Sequence, residues 1–299
     1  MISAEKFEDS KSLSKLVKKL NKYIRKEKDS KIQDKIDELM EMMDASEHEI
    51  SVTYILSVLA EKQTGLITPE IIKKVEPLFN QRDLDTTIKM NAMIIVGFYI
   101  LDHPKALKGY LKRFLGFIFE DDEDIRENAY YFLQEFEHGH PEVISENINK
   151  HVSTLLNALS REKEPENVFT LLNYLAHVDQ LNFKQLHEFR EICKEFGTEW
   201  MNNDLLSDKF IDLVKEVFPS IPDQDFKNLK PGEFSEILDD QFLMSSYNFT
   251  KLSKKTGISF QDFKARLRRS RRKLKDEMLY FYTKDRESQV TKFYELEKD

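Results

Sequence analysis

Two short segments in the first half of the chain share one pattern and decide the expected fold. Residues 83–92 read DLDTTIKMNA, and residues 122–129 read DEDIRENA. In each, an acid precedes an isoleucine that is followed directly by a base, and the two Asn-Ala pairs lie 37 residues apart. An acid at a helix start can accept hydrogen bonds from free backbone N–H groups and meets the positive end of the helix dipole. The pattern therefore predicts a helix beginning at each segment, with Asp85 or Asp124 as the capping residue.

The same spacing extends beyond these two segments. Similar helix-opening segments recur at intervals of 39, 37 and 39 residues, beginning at Val52, Asn91, Asn128 and Asn167. Most prolines stand at or between the ends of the predicted helices, where a missing N–H costs little. Pro77 is the exception, and we expect it to end its helix early. The predicted helices span about residues 47–62, 69–79, 85–102, 105–119, 123–137, 142–160, 165–178, 183–196 and 204–217.

Two helices per 37–39 residues, opened by an acid and an apolar–basic pair, resemble the HEAT/armadillo superfamily of α-solenoids. The resemblance covers about residues 47–218 and implies a mainly α fold of stacked helical hairpins, whose surface serves protein partners. A minority of HEAT-like proteins are DNA glycosylases, so a HEAT-like DNA-modifying enzyme is an alternative. A helical bundle without repeats is the other interpretation of this region.

Composition agrees with a helical protein. Glycine and proline number only 8 each among 299 residues, which disfavours turn-rich β folds and glycine-rich phosphate loops. The single cysteine, Cys193, excludes an internal disulfide and a multi-cysteine metal site. The acidic start lacks the pattern of a secretory signal, and the most apolar stretch, residues 93–101, is too short to cross a membrane. We expect a cytoplasmic protein with a buried, unreactive Cys193.

Charge is distributed unevenly along the chain. Residues 11–28 carry a net charge of +7 and residues 251–275 carry +10, whereas the whole chain carries −8. The remainder therefore carries −25, so the protein is an acidic body with two basic ends. We expect any anionic partner to bind at the ends.

The first basic end predicts a pair of amphipathic helices within a domain of residues 1–46. One helix has an apolar stripe from Leu13 to Ile24 opposite its lysines, and a second follows at about residues 30–43. We expect the two stripes to bury each other and form a cap on the repeats. Contact of the first helix with an anionic membrane surface is the alternative.

The second basic end predicts a separate domain at residues 232–299, after a linker at residues 219–231. Helices are expected at about residues 233–244 and 249–256, and a long basic helix follows Gly257. The alternating residues 279–294 predict a β-hairpin. This order of elements resembles a winged-helix domain.

The basic helix of that domain holds the candidate binding residues. A winged helix presents its third helix to the DNA groove, and arginine and lysine suit phosphates and guanine edges. We expect DNA or RNA contact by Lys264, Arg268, Arg269, Arg271, Arg272 and Lys275. Alternatively, these bases form a solvated face or bind an acidic protein. PCI-family scaffolds have the same order of helical repeats and winged helix, and they use it for protein contacts only.

No set of residues predicts catalysis, a metal site or a cofactor. The closest histidine pair, His138 and His140, falls on a predicted loop and lacks a convincing third ligand. The sequence shows no phosphate loop, nucleophile elbow or dinucleotide fingerprint. We therefore expect a non-enzymatic binding or regulatory adaptor.

Overall fold

The computed structural model describes residues 11–218, apart from Arg25, residues 27–28, 44–47, Gln63 and residues 82–83, and also residues 226–246. This part of the chain is mainly α-helical and contains no β-strand. Its α-helices are α1 (Lys11–Ile24), α2 (Asp29–Met43), α3 (Glu49–Lys62), α4 (Pro69–Asn80), α5 (Thr86–Asp102), α6 (Leu107–Phe117), α7 (Glu123–Gly139), α8 (Pro141–Asn147), α9 (Val152–Leu159), α10 (Pro165–Ala176), α11 (Phe183–Met201), α12 (Ser207–Val217) and α13 (Pro231–Ser246).

The chain divides into two compact units, which meet in sequence between Asn147 and Ile148. In unit 1, helix α5 packs against α3 on one side and α7 on the other, and α4 packs beneath it. Helix α6 packs against both α7 and α8. Alternate helices are therefore neighbours, with α3, α5 and α7 in one layer and α4, α6 and α8 in a second. This is the packing expected of stacked helical hairpins.

Unit 2 follows the same rule. Helix α11 packs against α9 and α13, while α10 packs against α12. The layers are thus α9–α11–α13 and α10–α12, with further contacts between α9 and α10 and between α11 and α12. Within each unit, this arrangement favours repeats over a bundle without repeats.

Two glycines allow helices to approach closely. A Cβ atom added to Gly97 of α5 would lie 2.4 Å from the ring of Phe132 in α7, and one added to Gly197 of α11 would lie 2.6 Å from the ring of Phe234 in α13. Both rings are buried. Each glycine therefore makes room for an aromatic side chain of the next helix in its layer.

The predicted helix starts are largely correct, with one correction to the capping residues. Asp85 caps α5, since its side chain accepts hydrogen bonds from the N–H groups of Thr87 and Ile88. At α7 the cap is Asp122, which accepts from the N–H of Ile125 at 3.1 Å. The prediction of Asp124 as a cap was wrong, because Asp124 lies inside the first turn of α7.

Two predicted helix ends were also wrong. Helix α4 includes Pro77 and continues to Asn80, because a proline this close to the end removes a single backbone bond. The helix predicted at residues 142–160 is broken into α8, a 3₁₀ turn at Ile148–Lys150 and α9. The amide of Asn147 donates to the carbonyl of Val143 at 2.8 Å, and an asparagine bonded to its own backbone favours such an interruption.

The basic N-terminal pair of helices forms as predicted. Helices α1 and α2 pack together, and α2 packs on α3. The apolar stripe of α1 is buried, as is that of α2, at Leu13, Leu16, Val17, Leu20, Ile32, Ile36, Leu39, Met40 and Met43. The surface that α1 offers is therefore its lysine side.

Candidate protein-interaction surface

The open side of the layer formed by α3, α5 and α7 is its distinctive surface. Helix α5 is covered by α3, α7 and α4, so its remaining side carries the side chains that are only partly buried. Three of those residues, Met90, Ile94 and Phe98, recur every four positions. A spacing of four keeps side chains on one helical face. We call this side of the three helices the outer face.

The neighbouring helices continue the outer face at matching positions. On α3 the partly exposed side chains again recur every four positions, and Ile50 is 48% exposed. On α7, Tyr131 is 45% exposed. The face is therefore apolar or aromatic across all three helices, at Ile50, Tyr54, Val58, Met90, Ile94, Phe98 and Tyr131. A contiguous apolar area on a protein surface is typical of an interaction site.

An aromatic cluster supports the outer face from below. The ring centroid of buried Phe132 lies 5.3 Å from that of Phe98 and 5.1 Å from that of Tyr131, both in edge-on geometry. On its inner side Phe132 contacts Phe114 and Phe136, at 5.8 and 6.0 Å. Such ring pairs add specific geometry to apolar burial. The partly exposed rings of Phe98 and Tyr131 therefore pack on buried aromatic side chains.

Acidic residues border the outer face. Asp102 ends the row on α5, Glu61 lies beside Lys62 at the end of α3, and Glu127 and Glu135 lie four residues on either side of Tyr131 in α7. Partial burial, together with the negative charges of Glu135 and Glu61, raises the pKa of Tyr131 above its usual value. Two acids, Glu135 and Glu61, therefore lie close enough to Tyr131 to act on its hydroxyl.

Basic side chains that donate hydrogen bonds to backbone carbonyls join successive repeats of unit 1. Nζ of Lys74 on α4 donates to the carbonyl of Met40 near the end of α2, at 3.1 Å. One repeat later, Nε of Arg113 on α6 donates to the carbonyl of Phe79 near the end of α4, at 3.0 Å. Donor and acceptor both advance by 39 residues. A cation at a helix C-terminus also interacts favourably with the helix dipole.

The bases of the motif that predicted the fold have a related role, which sequence reasoning missed. Lys89 is 6% exposed and its Nζ lies 3.1 Å from a carboxylate oxygen of Glu120. Arg126, at the matching position of the next repeat, donates to the carbonyls of Glu120 and Asp121 at 2.8 and 2.7 Å. The segment before α7 is thus held from both repeats. The 37-residue spacing of the two bases was the signal available in the sequence.

In unit 2, an ionic cluster connects α11 and α13. Arg190 is buried, and its guanidinium lies 2.5 Å from Glu191 and 3.6 Å from Asp239 on α13. Nζ of Lys194 lies 3.1 Å from the same Asp239 carboxylate. Burial raises the pKa of Glu191, but the charge and hydrogen bond of Arg190, together with the charges of Lys194 and His187, leave that pKa below its usual value.

The six predicted nucleic-acid-binding residues, Lys264, Arg268, Arg269, Arg271, Arg272 and Lys275, lie outside the described residues, as does the predicted hairpin at residues 279–294. The helix predicted at residues 233–244 is present as α13. Phe234 on α13 is buried and lies 6.1 Å from Phe210 and 6.3 Å from Phe226, ring to ring. The limits of the predicted domains, at residues 46, 218 and 231, stay predictions.

The histidine pair is not arranged as a metal site. His138 lies in the last turn of α7, not on the predicted loop, and is exposed. A ring nitrogen of His140 lies 3.2 Å from the carbonyl of Leu101. Across the described ranges, no three histidine, cysteine or acidic side chains are grouped closely enough to hold a metal ion. Cys193 is buried as predicted, and burial raises the pKa of its thiol.

Comparison with known proteins gives one family. The sequence model of the family described as Cnd1, non-SMC mitotic condensation complex subunit 1, matches residues 66–199. The matched range runs from the turn before α4 to the last residues of α11. Together with the all-helical structure, this match fits a HEAT-like helical solenoid. No curated protein matches the chain.

Two crystal structures of engineered proteins are similar to this chain. One has 12% sequence identity and a TM-score of 0.43, over 71% of this chain and 98% of the other. The second has 13% identity and a TM-score of 0.44, over 73% of this chain and 60% of the other. Separately, none of the helices in the described residues is both long enough and apolar enough to span a bilayer.

Proposed function

We propose that the protein is a non-enzymatic scaffold that binds a helical segment of a partner protein on the outer face of α3, α5 and α7. The observation that carries this proposal is the contiguous row of partly exposed apolar side chains across three helices of one layer. Layers of helical repeats offer such extended surfaces to partners. The match to a family described as subunits of a mitotic complex supports assembly with other proteins.

Charge complementarity defines the segment that fits. The apolar centre of the face, from Ile94 to Tyr131, suits the apolar side of an amphipathic helix. The acids that border it, Glu61, Glu127 and Glu135, suit lysine or arginine beside that apolar side. The occupant is therefore a basic amphipathic helix that anchors aliphatic or aromatic side chains at i, i+3, i+4 and i+7.

Site-specific crosslinking tests this proposal. A photoreactive phenylalanine analogue replaces Tyr131 in the full-length protein, which is expressed in its own cells. It should capture one partner segment whose sequence forms an amphipathic helix, with apolar residues on one side and basic residues beside them. Leu205 in unit 2 is equally exposed at 45% and serves as the control position. Equal capture at both positions, or an acidic captured segment, would contradict the proposal.

A second function is proposed for the basic C-terminal residues. Residues 251–275 hold eleven bases and one acid, a composition suited to phosphates. We propose that a winged-helix module carries Arg268, Arg271 and Arg272 to DNA or RNA. If six bases met phosphates, the logarithm of affinity would fall with the logarithm of salt at a slope of about −5. Replacing those three arginines with glutamate in the full chain should lower the affinity for duplex DNA at low salt and reduce its salt dependence.

The alternative for that module is a PCI-like protein contact. In that case the arginine variant would bind duplex DNA at 50 mM salt as tightly as the wild type, and it would instead lose a protein partner. This outcome would leave the scaffold function of the outer face intact, since the face lies in unit 1.

A further inference from the structure

Helix α1 exposes a continuous row of lysines. Lys15, Lys18, Lys19 and Lys22 are all exposed, and their spacing of 3, 1 and 3 residues places them along one side of the helix over about 10 Å. The helix contains no acidic residue. Its other side is the buried stripe against α2. We call these four side chains the lysine row.

The charge of the lysine row is not compensated as other bases of the molecule are. Lys35 on α2 pairs with Glu38, Lys89 pairs with Glu120, and Lys194 pairs with Asp239. For the four lysines of the row, no ion pair is found within the described residues. Lys26, just after α1, and Lys31, in the first turn of α2, are exposed as well.

Burial of the apolar stripe argues against a lipid surface as the partner. A helix that lies on a membrane inserts its apolar side into the headgroup region. In α1 that side is taken up by α2, with Val17 and Leu20 fully buried. Only charge is left to attract a bilayer. The membrane contact named above as the alternative for this helix therefore lacks its apolar component.

The composition of the row also argues against a protein partner. Protein interfaces are depleted in lysine and rely on aromatic, aliphatic or arginine anchors at their centre. The row offers flexible ammonium groups and no exposed apolar anchor. Lysine is a point charge that suits phosphate oxygens without a fixed geometry. Spacings of about one helical turn allow several phosphates to be met at once.

We propose that the lysine row of α1 binds the phosphate backbone of nucleic acid without sequence preference. This site is separate from the arginine-rich C-terminal residues and does not rest on the function proposed for them or for the outer face. Each phosphate neutralised on duplex DNA contributes about 0.9 to the salt dependence of binding. Four contacts would therefore contribute up to about 3.6.

The test replaces Lys15, Lys18, Lys19 and Lys22 with glutamine in the full-length protein. Binding to a labelled 24-base-pair duplex is measured by fluorescence anisotropy across a salt series, with a second duplex of scrambled sequence. We expect affinity at low salt to fall at least tenfold for both duplexes, and the salt slope to shrink by about 2 to 4. Circular dichroism should show an unchanged melting temperature, because the four side chains are exposed.

A control variant separates the site from net charge. Lys62, Lys73, Lys108 and Lys163 are also exposed but lie on separate elements, and replacing them with glutamine removes the same charge. This control should retain affinity within about twofold. Equal losses in both variants would overturn the proposal, as would an unchanged salt slope in the lysine-row variant. Binding of phosphatidylserine vesicles in preference to the duplex, lost only in the lysine-row variant, would also overturn it and identify a lipid partner.

Discussion

The two units connect successive helices with bases, but the acceptors of those bases differ. In unit 1, Lys74 and Arg113 donate to main-chain carbonyls at the ends of helices of the preceding repeat. In unit 2, Arg190 and Lys194 bind the carboxylate of Asp239. A carbonyl is present whatever the side chain and does not titrate. These two carbonyl acceptors of unit 1 therefore do not depend on the side chains of the residues that supply them, whereas the connection in unit 2 depends on the carboxylate of Asp239.

Removing a buried aromatic ring should give the largest loss of stability in each unit. Replacing Phe132 with alanine in unit 1, or Phe234 in unit 2, should lower the free energy of unfolding by about 3–5 kcal/mol, because each buried ring fills space beside a glycine of the next helix. Urea denaturation measures the change. If Phe132→Ala lowered the free energy of unfolding by less than about 1 kcal/mol, the aromatic cluster beneath the outer face would not be packed as described.

The glycines should give the next largest effects. Alanine at Gly97 or Gly197 would place a Cβ within 3 Å of a buried ring and should cost about 1–3 kcal/mol. Gly109 in α6 is the matched control, since its Cβ would meet nothing within 4 Å. There, alanine should stabilise the helix by about 0.5–1 kcal/mol. If all three substitutions had the same sign of effect in thermal melts, the close approaches would be excluded.

The connections of both units should contribute to stability. Arg113→Met removes the donors to the carbonyls of Phe79 and Gln81 and should cost about 1–2 kcal/mol. Asp239→Asn in unit 2 should cost a similar amount near neutral pH, since it leaves the buried Arg190 with fewer charged acceptors. Urea denaturation measures both losses. An unchanged free energy of unfolding in either variant would show that its connection does not stabilise that unit.

The smallest expected effect is the pH dependence of unit 2. Burial and the nearby charge of Arg190 lower the pKa of His187 below its usual value of 6.5. Because the pKa is lower in the folded state, the unfolded chain binds the proton of His187 more tightly than the folded protein does. The stability that neutral His187 contributes is therefore complete above pH 6.5 and is lost as the pH falls. The lowered pKa of Glu191 acts in the same direction below pH 4.5.

Chemical denaturation at pH 7.5 and pH 5.5 checks this effect. The wild type should be less stable at pH 5.5, and His187→Gln should reduce the difference between the two pH values. A variant with the full wild-type difference would show that His187 does not carry it.

Much of the fold was predictable because local chemistry determines it. Helix starts at Asp85 and Pro165, and the apolar stripe of α1, follow from capping, proline geometry and periodicity. Helix ends were harder, because a proline such as Pro77 is tolerated where tertiary contacts hold the last turn. The break before α9 was missed, since the apolar pattern continues through it.

The candidate surface was not predictable in the same way. Ile94 and Phe98 have the same residue types as buried core positions, and only the packing of α3, α4 and α7 around α5 leaves that side open. Lys89 and Arg126 were visible in the motif, but their acceptors are distant or main-chain atoms that a sequence pattern does not identify. The base-rich sequence of α1 was visible, but only the structure shows that Lys15, Lys18, Lys19 and Lys22 form no ion pair within the described residues.

The most direct test of the central claim measures the affinity of the captured partner segment for the outer face. A synthetic peptide of that segment is titrated by calorimetry into wild type, Ile94→Glu and the control Leu205→Glu. We expect Ile94→Glu to weaken binding at least tenfold and Leu205→Glu to leave it within twofold, with all three proteins equally folded. Unchanged affinity in Ile94→Glu would contradict binding of the partner segment on the outer face.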